Sequence, residues 1–299
     1  MTLPNFLIIG AQKAGTTALS HYLTQHPQIH MSSIKEPGFF DFENEPPNFK
    51  GPGDLALYSS VVTTLDDYSE LFDQVSNEIA IGEATTWYLY SKKAPERIKY
   101  YLPDVKLIAI LRNPIDRAYS GFMHAVRDER ETLDFAEALA LENQRITDNW
   151  EYLWRYQDMG FYGEQLERYL SKFNQEQVRI YLYDDLCNSP ECLLKDVFQF
   201  LEVSQEHIPK VFTRMNISGR KRSGLIEELL KDTNPTKQIG KLLLPLQFRK
   251  QLANRIRTFN YVKNECSLAV RMKLIDLYRE DIMKTQSLIG RDLSHWLVA

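Results

Sequence analysis

The sequence predicts an α/β fold in which a central, mostly parallel sheet lies between layers of helices and a helical part follows toward the C-terminus. Three observations predict it. Short, nearly continuous apolar runs recur at residues 6–10, 79–83, 106–112 and 178–183, the pattern of parallel strands buried on both faces. Helical patterns fall between these runs, and strands alternating with helices build a parallel sheet covered on both sides. From about residue 190 the chain turns helical.

Each element has its own signal. "FLIIG" (6–10) is the first strand, and Leu19, Tyr22 and Leu23 at i, i+3 and i+4 mark the helix after it. Residues 41–66, rich in Pro, Gly and Asn, read as a long surface excursion. "LFDQV" precedes the strand "IAIGE" (79–83), "APERIKYYLP" precedes "KLIAILR" (106–112), and "EQLERYLSKF" precedes "VRIYLY" (178–183). The C-terminal helical patterns are "PECLLKDVFQFLEV", "SGLIEELLKD", "LLLPLQFRKQLANRIRTF" and "AVRMKLIDLYREDIMKTQSLI". With no repeat and no linker, the reading is one domain over residues 1–299.

Composition excludes several function classes. The 299 residues are 43% apolar and 25% charged, as in an ordinary globular protein. A formal net charge of −4 argues against a nucleic-acid partner held by bulk phosphate attraction, so any bound anion must be held by local groups. Cys187, Cys192 and Cys266 have no metal or disulfide spacing, which points to a reducing compartment and no zinc site. No signal-peptide layout is present, and no apolar run approaches the ~20 residues of a membrane span. A cytoplasmic location is expected, and the sequence specifies no oligomeric state.

The chemistry begins in "NFLIIGAQKAGTTALSHYL" (5–23). Gly10 and Gly15 keep the spacing of the phosphate loop GxxxxGK[ST], but Thr16 stands at the lysine position and Lys13 lies inside the loop. The fold class is therefore a P-loop-like three-layer sandwich. Amides at the start of the following helix still make an anion site. A metal-dependent nucleotide hydrolase would place an acidic Mg²⁺ ligand at a strand end. Here Arg112 ends the third strand, and a cation there repels Mg²⁺ and attracts a second anion. The pattern suggests a nucleotide with two separated anionic groups, bound without metal; an ordinary glycine turn is the competing reading.

"LRNPIDRAYSGFMH" (111–124) has Asn113 as helix N-cap, Pro114 at the first helical position and Asp116 in the first turn. Ser120, two turns after Asn113, returns to the same helix face, so Arg112 and Ser120 are placed to grip one phosphate. The alternative is an Arg112–carboxylate pair with Ser120 merely exposed.

Together, "IIGAQKAGTTAL" and "LRNPIDRAYSGF" resemble the two cofactor motifs of sulfotransferases that use 3′-phosphoadenosine 5′-phosphosulfate (PAPS), in particular the branch of the heparan sulfate enzymes and their bacterial relatives. The resemblance extends through "KEPGFFDFE", "IGEATTWYLYS", "YGEQLERYL", "VRIYLYDDL" and "NISGRKRSGL". It implies that Gln12, Lys13, Ala14, Gly15, Thr16 and Thr17 hold the 5′-phosphosulfate, that Arg112 and Ser120 hold the 3′-phosphate, and that no metal is used. Lys13 then neutralises charge on the departing oxygen, leaving 3′-phosphoadenosine 5′-phosphate (PAP) as product. Glu36 matches the family's general base, which takes the acceptor proton. Ser218, Arg220, Lys221 and Arg222 fall in a loop resembling the one that closes over the 3′-phosphate and adenine, with a solvated basic run as the alternative.

Two departures bear on the acceptor. Gly38 stands where many relatives carry His, and Ala84 stands where heparan-type enzymes carry Lys, which weakens the case for a heparan-like substrate. Glu83 is a second carboxylate that orients Lys13, contacts acceptor or forms a structural ion pair. Phe39 and Trp87 are candidates for the acceptor side, within aromatic clusters at 39–49, 87–90 and 150–156 whose rings stack on sugars, line an acyl pocket or simply pack, and Tyr162, in the family-like stretch "FYGEQL", lines the site or packs in the core. The basic stretch 237–257 reads as a solvated face or as a dock for an acidic carrier or polyanion. The expected acceptor is a hydroxyl, with an amine as the alternative, on a glycan, small metabolite or carrier-bound acyl chain. The rival readings are a P-loop kinase or NTPase and a non-catalytic PAP-binding module.

Overall fold

Phe6–Gly10 forms strand β1, and Phe6 to Ile9 are wholly inaccessible to solvent. A strand apolar on both faces requires neighbours on both sides, and β1 has them. In the computed structural model, which describes residues 1–209, 220–221, 261–262 and 266–299, β1 is the middle strand of a five-stranded sheet. Helix α1 (Thr16–Leu23) follows, then β2 (Ile29–Met31) and the short helices α2 (Phe39–Phe42), α3 (Asp54–Leu57) and α4 (Leu65–Glu70). Next come β3 (Ala80–Ala84), α5 (Ala94–Tyr101), β4 (Lys106–Leu111) and α6 (Pro114–Arg127). Helices α7 (Phe135–Ala140), α8 (Glu142–Thr147) and α9 (Tyr162–Leu170) lead to β5 (Val178–Leu182), α10 (Tyr183–Asn188) and α11 (Pro190–Phe200). A two-residue strand β6 (Arg220–Lys221) pairs antiparallel with β7 (Tyr261–Val262), and α12 (Leu268–Ile289) closes the chain.

All pairings in the five-stranded sheet are parallel, in the order β2-β3-β1-β4-β5. The chain builds β2 and β3 on one side of β1 and then crosses to β4 and β5 on the other. The strand order thus reverses between β1 and β4, and the carboxyl ends of such a strand pair are where open α/β sheets hold their ligands. The loops after β1 and β4 are the two that carry Lys13 and Arg112.

The four strands read from sequence are present within a residue or two of their expected ends, and the sheet is α/β and parallel as expected. Strand β2 was not expected. "IHM" is three residues with a central His and has no apolar run; it becomes a strand because β3 offers it an edge, with Ile29, His30 and Met31 opposite Ala80, Ile81 and Gly82. The excursion 41–66 is anchored to the rest of the fold. Asp54, only 1% exposed, accepts from Trp154 Nε1 at 2.8 Å and pairs with Arg130, which also reaches Glu151 at 3.1 Å. A buried carboxylate is tolerable only with such partners, and here they tie the excursion to residues 130–154. No described helix is long and apolar enough to cross a membrane. Ser218, Arg222 and the basic stretch 237–257 lie outside the described residues, as do the side chains of Arg220 and Lys221.

Candidate active site

The phosphate loop runs from Gly10 to Thr16. Gly15 is the N-cap of α1 at φ 96°, and a Cβ there would meet Leu186 at 2.7 Å and Tyr183 at 3.2 Å, so the position accepts only glycine. Among the described residues no side chain caps α1. Among the described residues its Thr16 and Thr17 N–H groups remain available to an anion, whereas the Ala18 N–H donates to the Gly15 carbonyl at 2.9 Å. Thr16 is buried and Thr17 exposed at this end of the helix, and the Gln12 Oε1 atom is buried without a hydrogen-bond partner.

Lys13 adopts φ 69°, left-handed backbone that a non-glycine residue holds only when its surroundings fix it. Two contacts do so. Arg112 Nη1 donates to the Lys13 carbonyl at 3.1 Å, and the Arg112 guanidinium lies 4.6 Å from the Tyr183 ring centroid. At the other end of the side chain, Lys13 Nζ is 2.9 Å from His124 Nδ1. Burial, with the charges of Arg127 and Arg112, lowers the Lys13 ammonium to about 8, against the opposing pull of Asp128 and Glu36. Burial beside Lys13 and Arg127 lowers His124 to about 4, so its imidazole is neutral near pH 7.

The N-cap of α6 is as the sequence predicts: the Asn113 side chain accepts from the amides of Ile115 and Asp116, with Pro114 in the first turn. Ser120 is buried on this helix, and His124 follows it by one helical turn. The spacing i, i+4 puts both on one face, and this is the signal in the sequence that points to His124. The backbone of β6 passes within 8 Å, Cα to Cα, of α6, which brings Arg220 and Lys221 beside the helix carrying Ser120.

Glu36 also has left-handed backbone, at φ 62°. Its amide donates to the Ala84 carbonyl at 2.9 Å, and its Oε1 accepts from Thr86 Oγ1 and Lys35 Nζ, each at 2.8 Å. The carboxylate is about one-third exposed and close enough to Lys13 to favour the charged ammonium. Gly38 follows at φ 71°, where a Cβ would lie 3.2 Å from both Trp87 and Val61. A histidine side chain at this position has neither the backbone nor the room it needs.

Three candidates for the acceptor side, Glu83, Phe39 and Trp87, are buried behind this segment at 0%, 0% and 5% exposure; Tyr162, 1% exposed, lies instead beside Arg112 and Arg117. Phe39 stacks on Tyr68 with ring centroids 4.7 Å apart, and Trp87 packs on Tyr58 at 5.2 Å. Tyr162 lies against Trp296. Glu83 accepts from Thr85 Oγ1 at 2.9 Å and Tyr68 OH at 3.3 Å, with no cationic partner among the described residues. Thr85 Oγ1 accepts in turn from the Gly38 amide, and Tyr88 OH from the Phe40 amide, both at 3.3 Å. The buried carboxylate thus supports the segment that carries Glu36. A separate groove of about 700 Å³ is lined by Phe42, Phe49, Tyr90, Tyr152, Arg155 and Asp158 among others, and by none of Lys13, Glu36, Arg112 or His124.

Burial raises the Glu83 carboxyl to about 7, with the Glu36 charge acting the same way and the hydroxyl donors opposing. An acid whose folded value lies above its unfolded one binds its proton more tightly when folded. Stability is then lost as pH rises between about 4.5 and about 7, by an amount on the order of 3 kcal/mol. Glu83→Gln removes that slope. In urea titrations at pH 5 and pH 8, the wild-type protein is expected to lose roughly this much relative to the variant; parallel curves would show that Glu83 ionises freely in the fold.

Comparison with known proteins follows the same lines. The family model described as "Sulfotransferase domain" matches residues 3–239. A crystal structure of a sulfotransferase from Alicyclobacillus acidocaldarius superposes with a TM-score of 0.79 over 99% of this chain and 99% of that one, at 34% identity. The bifunctional heparan sulfate N-deacetylase/N-sulfotransferase 4 of Mus musculus is 30% identical over 69% of this chain and 23% of its own length. The membrane-associated sulfotransferase kil1 of Dictyostelium discoideum is 23% identical over 68% of this chain and 57% of its own length. The chain thus spans less than two-thirds of either curated relative.

Proposed function

The chain belongs to the sulfotransferase family, and on that premise we propose that it moves a sulfuryl group from PAPS to an acceptor hydroxyl, releasing PAP. The observation that carries the reading is the helix N-terminus at Gly15, which has no side-chain cap among the described residues and is flanked by Lys13 and Arg112. The donor set fits a doubly anionic nucleotide: two cations, the Thr16 and Thr17 amides of α1, and the hydroxyls of Thr16, Thr17 and Ser120. Gln12 and Ala14 complete the loop. Ser218, Arg220, Lys221 and Arg222 are assigned to the 3′-phosphate and adenine on the family resemblance alone. The donor set needs no metal ion.

Bound there, PAPS supplies the sulfuryl group and its phosphate leaving oxygen. The Lys13 ammonium neutralises negative charge at that phosphate, and Arg112 with Ser120 holds the 3′-phosphate. Glu36, held by Thr86 and partly open to solvent, takes the proton of the acceptor hydroxyl. Glu83, Phe39 and Trp87 act from below, as the packed support of the acceptor face, and Tyr162 packs beside the Arg112 that is assigned to the 3′-phosphate. The acceptor is a glycan, a small metabolite or a carrier-bound acyl chain. The chain is assigned to a reducing compartment such as the cytoplasm, in keeping with its free cysteines.

The test is a transfer assay with sulfur-labelled PAPS over glycans, phenols, sterol-like alcohols and carrier-bound hydroxyacyl chains. Label is expected in at least one hydroxyl acceptor, in the presence of EDTA. Transfer of the γ-phosphate of ATP, with none of the sulfur label, would overturn the reading.

A further inference from the structure

We propose that Asp128 is a positioning residue for Lys13: its carboxylate holds His124 as the Nε2–H tautomer, and the Nδ1 lone pair then accepts a hydrogen bond from the Lys13 ammonium and aims it. The inference rests on the assignment of Lys13 to the sulfuryl-donor site. Asp128 is the C-cap residue of α6, one turn beyond His124, and its Oδ2 lies 3.1 Å from His124 Nε2. On the other side of the ring, Nδ1 is 2.9 Å from Lys13 Nζ.

The two ends of the ring demand the same tautomer. A carboxylate only accepts, so Nε2 carries the hydrogen; an ammonium only donates, so Nδ1 is bare. In a neutral imidazole the bond made by one nitrogen decides the state of the other. Arg127 Nε holds the other Asp128 oxygen at 2.8 Å and fixes the carboxylate in turn. The charges acting on the ring are Lys13 from the phosphate loop and Arg127, Asp128 and Arg130 from the end of α6 and just beyond it. Those acting on Lys13 are Arg127 and Asp128, Arg112 from the end of β4, and Glu36 from the segment before α2. Only Asp128 and Glu36 among these favour the ammonium. Removing one of them shifts Lys13 toward its neutral form.

In Asp128→Asn the carboxamide can present its NH₂ to Nε2, which drives the ring to the Nδ1–H tautomer and turns an N–H on the ammonium. The same error in a Ser-His-Asp triad costs about 10⁴ in kcat, where the imidazole itself moves the proton. A ring that acts only through Lys13 should lose less, about 10–100-fold, as for other orienting partners of a functional histidine.

The experiment uses the full chain as wild type, Asp128→Asn and Asp128→Glu. It reads the His124 ring tautomer by ¹⁵N NMR, assigned with His124→Gln, and kcat/KM for labelled PAPS across pH. The Asn variant is expected to carry its proton on Nδ1, to lose about 10–100-fold in kcat/KM, and to move its alkaline limb to lower pH. The Glu variant should restore the tautomer and most of the rate. An Asn variant that keeps Nε2–H, or whose rate changes equally at every pH, reduces Asp128 to a helix cap and overturns the proposal. If the wild type transfers no label, the donor-site reading fails, and the ring tautomer still decides the Asp128–His124 contact.

Discussion

Glu36→Gln is expected to lower kcat by about 10²–10⁴-fold, the contribution of a positioned general base, while PAP affinity stays within about twofold. The substitution isolates the proton acceptor. Gln keeps the side-chain length and the oxygen that accepts from Thr86 Oγ1, so the bond that positions residue 36 survives. The left-handed backbone at φ 62° is supported by the amide bond to Ala84, which no side-chain change touches. What disappears is the basic carboxylate. Single-turnover sulfuryl transfer to the acceptor returned by the labelled screen, together with calorimetry of PAP, separates the two quantities. A variant that turns over at the wild-type rate would remove Glu36 from the chemistry and make it a partner of Lys35 and Thr86 only.

Lys13→Met is expected to cost about 10²–10³-fold in kcat, the range for removing one preorganised group that stabilises transition-state charge. Methionine matches the length and flexibility of the lysine stem but carries no charge. Lys13→Arg should restore little, because a planar fork cannot replace a compact ammonium wedged against His124 Nδ1. The pH profile adds a readout independent of absolute rate. With the ammonium at about 8 and the protonated form active, wild-type kcat/KM falls as pH rises through about 8 in the free enzyme. The Met variant loses that limb. Persistence of the limb in the variant would assign it to another group.

How far the site could be read from the residues depended on whether the signal was local. The phosphate loop, the cation ending β4 and the Asn113–Pro114 helix start are each set by a few adjacent residues, and all three stand where the sequence predicts them. Strand β2 was not legible because its three residues have no strand pattern of their own and are ordered by β3. The support that Glu83 gives to the Glu36 segment was equally hidden. It depends on Thr85, Tyr88 and Tyr68 converging on one buried carboxylate, and the sequence separation of Glu83 from Gly38 conceals that meeting.

The departures from the family pattern become physical once the fold is known. Gly38 suits its position because the backbone there is left-handed and a Cβ would press on Trp87 and Val61 at 3.2 Å. An imidazole reaches the lysine from α6, through His124. Ala84, buried at the end of β3, supplies its carbonyl to the Glu36 amide. The segment carrying Glu36 is held by backbone and hydroxyl contacts, the Lys35 ion pair and the packing of Phe39 on Tyr68. The aromatic clusters, by contrast, were mostly packing: Phe39, Phe40, Tyr88 and Trp154 are fully buried or nearly so.

The most direct test is isothermal titration of the protein with PAP in EDTA, run beside adenosine 5′-phosphosulfate and repeated on Arg112→Ala. PAP should bind without a divalent ion, and loss of the guanidinium should weaken it by about 10–100-fold, as expected for about 1.5–3 kcal/mol of charge-assisted hydrogen bonding, with a much smaller loss for the nucleotide lacking a 3′-phosphate. Uptake of PAP only with Mg²⁺, or equal losses for both nucleotides, would contradict a metal-free pocket that holds its ligand by two separate phosphates.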